Sequence, residues 1–181
     1  SLGFENNQIS ITSATAPLRF VQFTNQYGDS VNAIPVTASW ARNTTDSALW
    51  PTTGANYSQT VTATAPGVGA QYYKFDSVDA WYFPISDNLT WKTNGELAFV
   101  NSYGDGSLVP FYQNFLEGGP GSIRGYYIGS LGPKDTDGSS IGGTRWAFLS
   151  NNLMFPIPGV KDEKSVRMSL FYDIGTLFGG S

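Results

Sequence analysis

ANYSQTVTATA, residues 55–65, alternates with a period of two. Asn56, Ser58, Thr60, Thr62 and Thr64 fall on one face, and Ala55, Tyr57, Val61, Ala63 and Ala65 fall on the other, interrupted by Gln59. A strand turns successive side chains to opposite sides, so this is a strand wet on one face and mostly apolar on the other. In a soluble sandwich the apolar face meets a second sheet; in a membrane barrel it meets lipid while the polar face lines a wet lumen. Alternation alone admits both.

The same arithmetic extends outward along the chain. Val166, Met168, Leu170 and Tyr172 oppose Arg167, Ser169, Phe171 and Asp173, and Leu89, Trp91, Thr93, Leu97 and Phe99 oppose Thr90, Lys92, Asn94 and Glu96. Seven strands are predicted: Ser1–Asn6, Asn32–Arg42, Ala55–Ala65, Gln71–Phe83, Leu89–Val100, Thr144–Phe155 and Ser165–Thr176. Several run to about ten residues, the length of a tilted transmembrane strand and longer than is usual in soluble sheets. Pro17 to Gly28 reads as a short surface helix. Tight turns are predicted at Pro66–Gly69, Ile85–Asn88 and Val160–Lys164, and long excursions at Gln8–Val31 and Asn101–Gly143, as in a barrel with short turns mainly on one rim.

Composition favours the membrane. Charged residues make up 13% of the 181 and aromatics 15%, with 21 glycines and 10 prolines, whereas soluble domains carry roughly 25% charge. No apolar run approaches the roughly 20 residues of a membrane-spanning helix, so any crossing uses strands. Trp40, Trp50, Trp81, Tyr82, Phe83, Trp91, Trp146, Phe155 and Phe178 gather near predicted strand ends, where rings serve either as core or as an interfacial girdle. The first residues, SLGFENNQIS, lack the pattern of a signal peptide, and the chain opens and closes inside strand-like text, as an excerpt of a longer protein would.

Several function classes are excluded. Neither Cys nor His occurs, which removes thiol nucleophiles, imidazole bases and the usual zinc ligands; no catalytic residue, cofactor or metal is expected. The net charge is −4 and the ten Lys and Arg are scattered, so nucleic acid is not an expected partner. Asp76 with Asp79 and Asp135 with Asp137 read as solvated carboxylates, because the first pair differs in parity and DTDG lacks the other ligands of a calcium loop.

The Asn101–Gly143 excursion is far longer than joining two strands requires. Within it, PFYQNFLEGGPGSIRGYYIGSLGPK, residues 110–134, mixes glycine and proline with Phe, Tyr and Ile. That mix suits a loop packed against something rather than a strand or plain disorder.

This run resembles the long lumen loop of the BamA outer-membrane assembly superfamily. The pattern is an aromatic-rich F-x-N-F, then G-G, then [VI]-R-G-[FY], then L-G-P; it is matched by Phe111, Asn114, Phe115, Gly118, Gly119, Ile123, Arg124, Gly125, Tyr126, Leu131, Gly132 and Pro133. DSALWPTTGANY (46–57), QYYKFDSVDAWYFPI (71–85), NNLMFPIPG (151–159) and SVRMSLFYDIGTLF (165–178) resemble its flanking turns and strands, and the last of these is closest in wording to the proteobacterial assembly factor.

The resemblance implies an all-β fold: an antiparallel transmembrane β-barrel segment, about seven strands of a larger, 16-stranded barrel, whose long loop folds into the lumen. Residues 1–181 would be part of a C-terminal barrel domain, without its N-terminal periplasmic repeat domains and without the first and last barrel strands. It implies that Arg124, with Gly125 and Tyr126, anchors the loop to Asp173 on the inner wall. Many relatives carry a second acidic residue where this chain has Asn152; Glu117, Glu96 or Asp76 are candidates to replace it. The function implied is folding and insertion of β-barrel proteins into the bacterial outer membrane, not an enzymatic reaction. Partners would be unfolded outer-membrane proteins as substrates, assembly-complex lipoproteins through the missing N-terminal domains, and outer-membrane lipid. The alternatives are a two-partner secretion-type transporter of the same superfamily and a soluble all-β binding module.

Overall fold

A computed structural model of the chain describes residues 1–10, 16–104, 107–136, 138–157 and 166–180. The elements are β1 (Glu5–Gln8), α1 (Leu18–Tyr27), β2 (Ser30–Ala33), β3 (Pro35–Asn43), β4 (Gly54–Thr64), β5 (Tyr72–Ser86), β6 (Leu89–Ser102), a 3-10 turn at Phe111–Gln113, β7 (Arg145–Pro156) and β8 (Arg167–Phe178). β3 to β8 form one antiparallel meander in chain order, and β1 and β2 form a separate two-stranded sheet. The six-stranded sheet is open, since β3 and β8 do not pair.

Register follows the alternation. Thr60 lies opposite Ser39 and Asp76, and the row continues through Ala98, Trp146 and Leu177. That face, called inward here, carries the long loop. The opposite face presents Val61, Tyr73, Phe83, Trp91, Leu149, Met168 and Tyr172 to the surroundings, with Leu97 60% and Leu170 66% exposed. Soluble monomers rarely expose so many large apolar side chains on one face, and the pattern matches the lipid-facing side of a barrel wall. The soluble-module alternative fails on this face.

Two expectations at the start of the chain need correction. Ser1–Asn6 is not a full wall strand: Leu2 bridges Val36 and the Gly3 amide donates to the Pro35 carbonyl at 3.0 Å, after which Glu5–Gln8 leaves to pair with Ser30–Ala33. Its polar side chains make that small sheet, with Asn6 Nδ2 donating to Asn32 Oδ1 at 2.7 Å and Gln8 Nε2 to Ser30 Oγ at 3.0 Å. Such a ladder suits water, not hydrocarbon. The predicted Asn32–Arg42 strand breaks at Ile34, because Pro35 offers no amide donor and restricts the residue before it. The helix predicted within Pro17–Gly28 is α1.

The tight turns are divided between the rims. Asp87-Asn88 joins β5 to β6 on the rim that also holds residues 44–53, whereas Pro66–Gly69 joins β4 to β5 on the rim of the long loop. The predicted Val160–Lys164 turn lies outside the described residues. On the rim of residues 44–53 Asp46 accepts from the Thr52 hydroxyl at 2.7 Å and from the amides of Thr52 and Thr53, and these bonds hold its carboxyl down at about 2.

The buried core is not a layer between two sheets. It gathers at the long-loop end of the inward face, where Phe23 of α1, Val109 and Phe115 of the loop, and Tyr72, Val100, Trp146 and Leu177 of the wall meet. Phe111 stacks on Phe20 at 4.1 Å between centroids and meets Phe23 edge-on. The wall thus rests its loop on its own upper inward face.

Candidate functional site

The loop enters through a short pairing with the end of the wall. Phe115 and Gly143 exchange amide hydrogen bonds of 2.8 and 3.0 Å, Asn114 Nδ2 donates to the Ile141 carbonyl at 3.0 Å, and the Lys74 ammonium lies 4.5 Å from the Phe115 ring centre. Both chain ends of the loop are therefore fixed before its middle descends.

A tight turn then presents Arg124. The Ser122 amide donates to the Gly119 carbonyl and the Gly119 amide to the Ile123 carbonyl, both at 3.1 Å, while the Gly118 amide donates to Ser122 Oγ at 2.7 Å. Gly118 has φ 120°, and a Cβ there would lie 2.6 Å from the Tyr127 carbonyl oxygen, so only glycine fits. Ile123 is buried against β8, where Gly175 leaves the room: a Cβ on Gly175 would sit 2.9 Å from Ile123 Cδ1.

Arg124 is then held from four sides. Its Nε donates to Asp173 Oδ2 and its Nη2 to Asp173 Oδ1, both at 2.7 Å. Nη2 also donates to Ser150 Oγ and Asn152 Oδ1 at 3.0 Å each, and the Arg124 amide to Asp173 Oδ2 at 3.2 Å. The Phe171 ring lies under the guanidinium, 3.5 Å from Cζ. Ser150 Oγ in turn donates to Asp173 Oδ1 at 2.7 Å, and Asn152 Nδ2 donates to Ser150 Oγ at 3.0 Å. The planar fork matches a carboxylate on two parallel bonds, which a lysine ammonium cannot do.

Strand parity explains why these groups converge. Ser150 is directly opposite Asp173, and Asn152 opposite Phe171, so all four side chains project from the inward face of two neighbouring strands. Asp173 retains only 3% side-chain exposure and Arg124 28%.

Of the residues singled out in the sequence, Arg124, Asp173 and Asn152 meet. Gly125 and Tyr126 lie beyond the cluster, the first in open space at φ 91° and the second half-exposed. Phe111, Asn114, Phe115, Gly118, Gly119 and Ile123 build the loop's root and turn. Gly132 (φ 88°) passes tightly over Leu177, and the Pro133 carbonyl accepts from the Ile141 amide at 3.2 Å. The candidate substitutes for the missing carboxylate do not take that place: Glu96 accepts from Trp146 Nε1 at 3.0 Å, Asp76 faces Lys74 at 3.9 Å, and Glu117 sits at the loop root. There, burial first and Glu96 second push its carboxyl above the ordinary range.

Sequence reasoning missed Ser150, Phe171 and Gly175. Two of the three were within reach: Phe171 shares the face of Asp173 two residues away, and Ser150 shares that of Asn152. Gly175 carried no signal, because a glycine that makes room for a loop side chain looks like any other.

The Omp85 superfamily domain matches residues 1–181. The chain is 40% identical over 177 residues to the outer membrane protein assembly factor BamA of Neisseria meningitidis serogroup B, covering 91% of this chain and 22% of that protein. It is 28% identical to a SAM50-like protein of Schizosaccharomyces pombe over 83% of this chain and 32% of the relative. The crystal structure of Haemophilus ducreyi BamA lacking POTRA domains 1–3 superposes with a TM-score of 0.87 at 27% identity, covering 98% of this chain and 38% of that one. The chain thus spans between about a fifth and two fifths of the length of these relatives.

Proposed function

The chain belongs to the Omp85 superfamily, and we propose that it is a section of the barrel wall, with the lumen loop, of a protein that folds and inserts β-barrel proteins into the outer membrane. Within that protein the segment belongs to a C-terminal barrel domain, preceded by periplasmic repeats that bind assembly lipoproteins. The first and last barrel strands lie outside it. Its substrates are unfolded outer-membrane proteins, and its solvent on the outward face is outer-membrane lipid. Such a protein works by templating strand pairing, since a strand edge left unpaired in hydrocarbon costs several kcal/mol per group, on the order of the desolvation of each amide; no covalent step is involved.

The segment's role is to hold the lumen loop in place. The observation that supports it is the two-bond contact of Arg124 with Asp173, which ties the middle of a long loop to the inward wall at one charged point. Arg124→Ala in the intact protein tests this. It should slow insertion of a barrel substrate into vesicles by about tenfold or more, equivalent to about 1.4 kcal/mol, while the protein keeps its own heat-dependent gel mobility. An unchanged insertion rate together with an unchanged rate of loop proteolysis would overturn the role.

A further inference from the structure

The outward face contains a polar patch at a level where a lipid-facing wall is expected to be apolar. On β5 the outward side chains run Tyr73, Phe75, Ser77, Asp79, Trp81, Phe83 and Ile85, with the carboxylate at the centre of the strand. Gln59, at the centre of β4, points its Nε2 at Asp79 Oδ1 at 3.4 Å, and Ser77 Oγ donates to Asp79 Oδ2 at 3.1 Å. On the next two strands the polar line steps two residues along, into the row of Trp81 rather than of Asp79, where Thr93 Oγ1 and Trp91 Nε1 donate to Asn151 Oδ1 at 2.9 and 3.2 Å. Beside it Trp81, directly across from Thr93, donates through Nε1 to the hydroxyl of Tyr57, which lies opposite Asp79, at 3.2 Å.

Among the described residues Asp79 has no ion-pair partner. The outward cations of the wall are Arg42, near the end of β3, and Arg145, at the start of β7. Two neutral donors leave most of the carboxylate's acceptor capacity unused. Charge on the lipid face is destabilising in proportion to its depth, and ionisable groups at such depth are rare unless water or a partner reaches them. A second copy of this wall would bring carboxylate to carboxylate and offers no central cation. The line is also four strands wide, broader than one partner side chain would need.

We propose that this patch, Gln59, Ser77, Asp79, Thr93 and Asn151, holds a water-filled dip in the bilayer, drawing the headgroup layer of the surrounding phospholipid toward the middle of the wall. The outward apolar surface is thereby split into two shorter belts. One contains Tyr73, Phe75 and Phe99, and the other Trp81, Phe83 and Trp91. The inference rests on the wall facing lipid and is independent of whether the protein inserts substrates.

The chain has no cysteine of its own, so once any cysteine elsewhere in the intact protein is replaced, single cysteines placed here report local water directly. In the intact protein, in phosphatidylcholine vesicles, Gln59→Cys should react with a membrane-impermeant maleimide at least tenfold faster than Val61→Cys or Leu97→Cys. Geometry alone gives the opposite order, since Val61 and Leu97 are the more exposed side chains. Adding Asp79→Leu should abolish the difference. If that variant does not fold, Asp79→Asn carries the same comparison, and labelling at position 59 must still fall. Equal, slow labelling at 59, 61 and 97 would overturn the proposal. So would fast labelling in vesicles with protection in native outer membranes, which would mean that a protein covers the patch.

Discussion

Asn151 and Asn152 are neighbours in β7 and belong to two different worlds. Asn152 points inward, accepting from Arg124 and donating to Ser150; Asn151 points outward, accepting from Thr93 and Trp91. Each face of the wall thus carries a central carboxylate with neutral amide and hydroxyl donors around it, Asp173 within and Asp79 without. The difference is the cation. The inward carboxylate receives a guanidinium delivered by a loop, fully paired and nearly sealed; among the described residues the outward one receives Gln59 and Ser77. A buried charge is tolerable when paired, and an unpaired one must find water.

The largest effect that separates the two is therefore their removal. Asp173→Ala leaves the guanidinium among neutral acceptors and should cost roughly 2–3 kcal/mol, below the range for a fully buried pair because Arg124 keeps 28% side-chain exposure. Thermal unfolding in detergent should shift down, and protease should cut within residues 116–136. Asp79→Ala should leave the midpoint unchanged or raise it. A comparable loss at both positions would break the comparison, because it would mean that Asp79 also has a cation.

Much of this contrast was readable in the chain itself. The alternation in residues 55–65, 89–99 and 166–173 assigns each side chain to a face, and the wall keeps those assignments. Arg124 and Asp173 were brought together by the loop's resemblance to a known pattern rather than by spacing, since 49 residues of separation carry no local periodicity. The outward patch was legible only in part: the interruption by Gln59 is visible, but its alignment with Asp79 depends on the register between β4 and β5. Ser1–Asn6 misled because six alternating residues do not reveal whether a strand pairs with the wall or turns away to form a polar ladder.

A smaller effect tests whether charge count or geometry fixes the loop. Asn152→Asp adds a second carboxylate beside Nη2 but loses the amide that donates to Ser150 Oγ. It also sets two carboxylates around one guanidinium. These terms offset, and the change in stability should stay within about 1 kcal/mol, the scale of one net hydrogen bond. A larger gain in loop protease resistance would show that the single ion pair is the weak point of the anchor.

The smallest effect concerns a third carboxylate, Glu117, which lies at the loop root with neither a full cation partner nor open water. Burial, and then Glu96, raise its carboxyl above the ordinary value, while Ser122 and Lys74 pull the other way. A raised folded-state value means that protonation favours the folded loop: the contribution is present in acid and is lost as pH rises through that raised value. Glu117→Gln keeps the neutral form at all pH. It should slow loop proteolysis slightly at neutral pH, and the advantage should vanish as pH falls and the native carboxyl takes up its proton. An advantage that grew in acid would reverse the sign and place Glu117 with Asp173, as a carboxylate that its surroundings stabilise when charged.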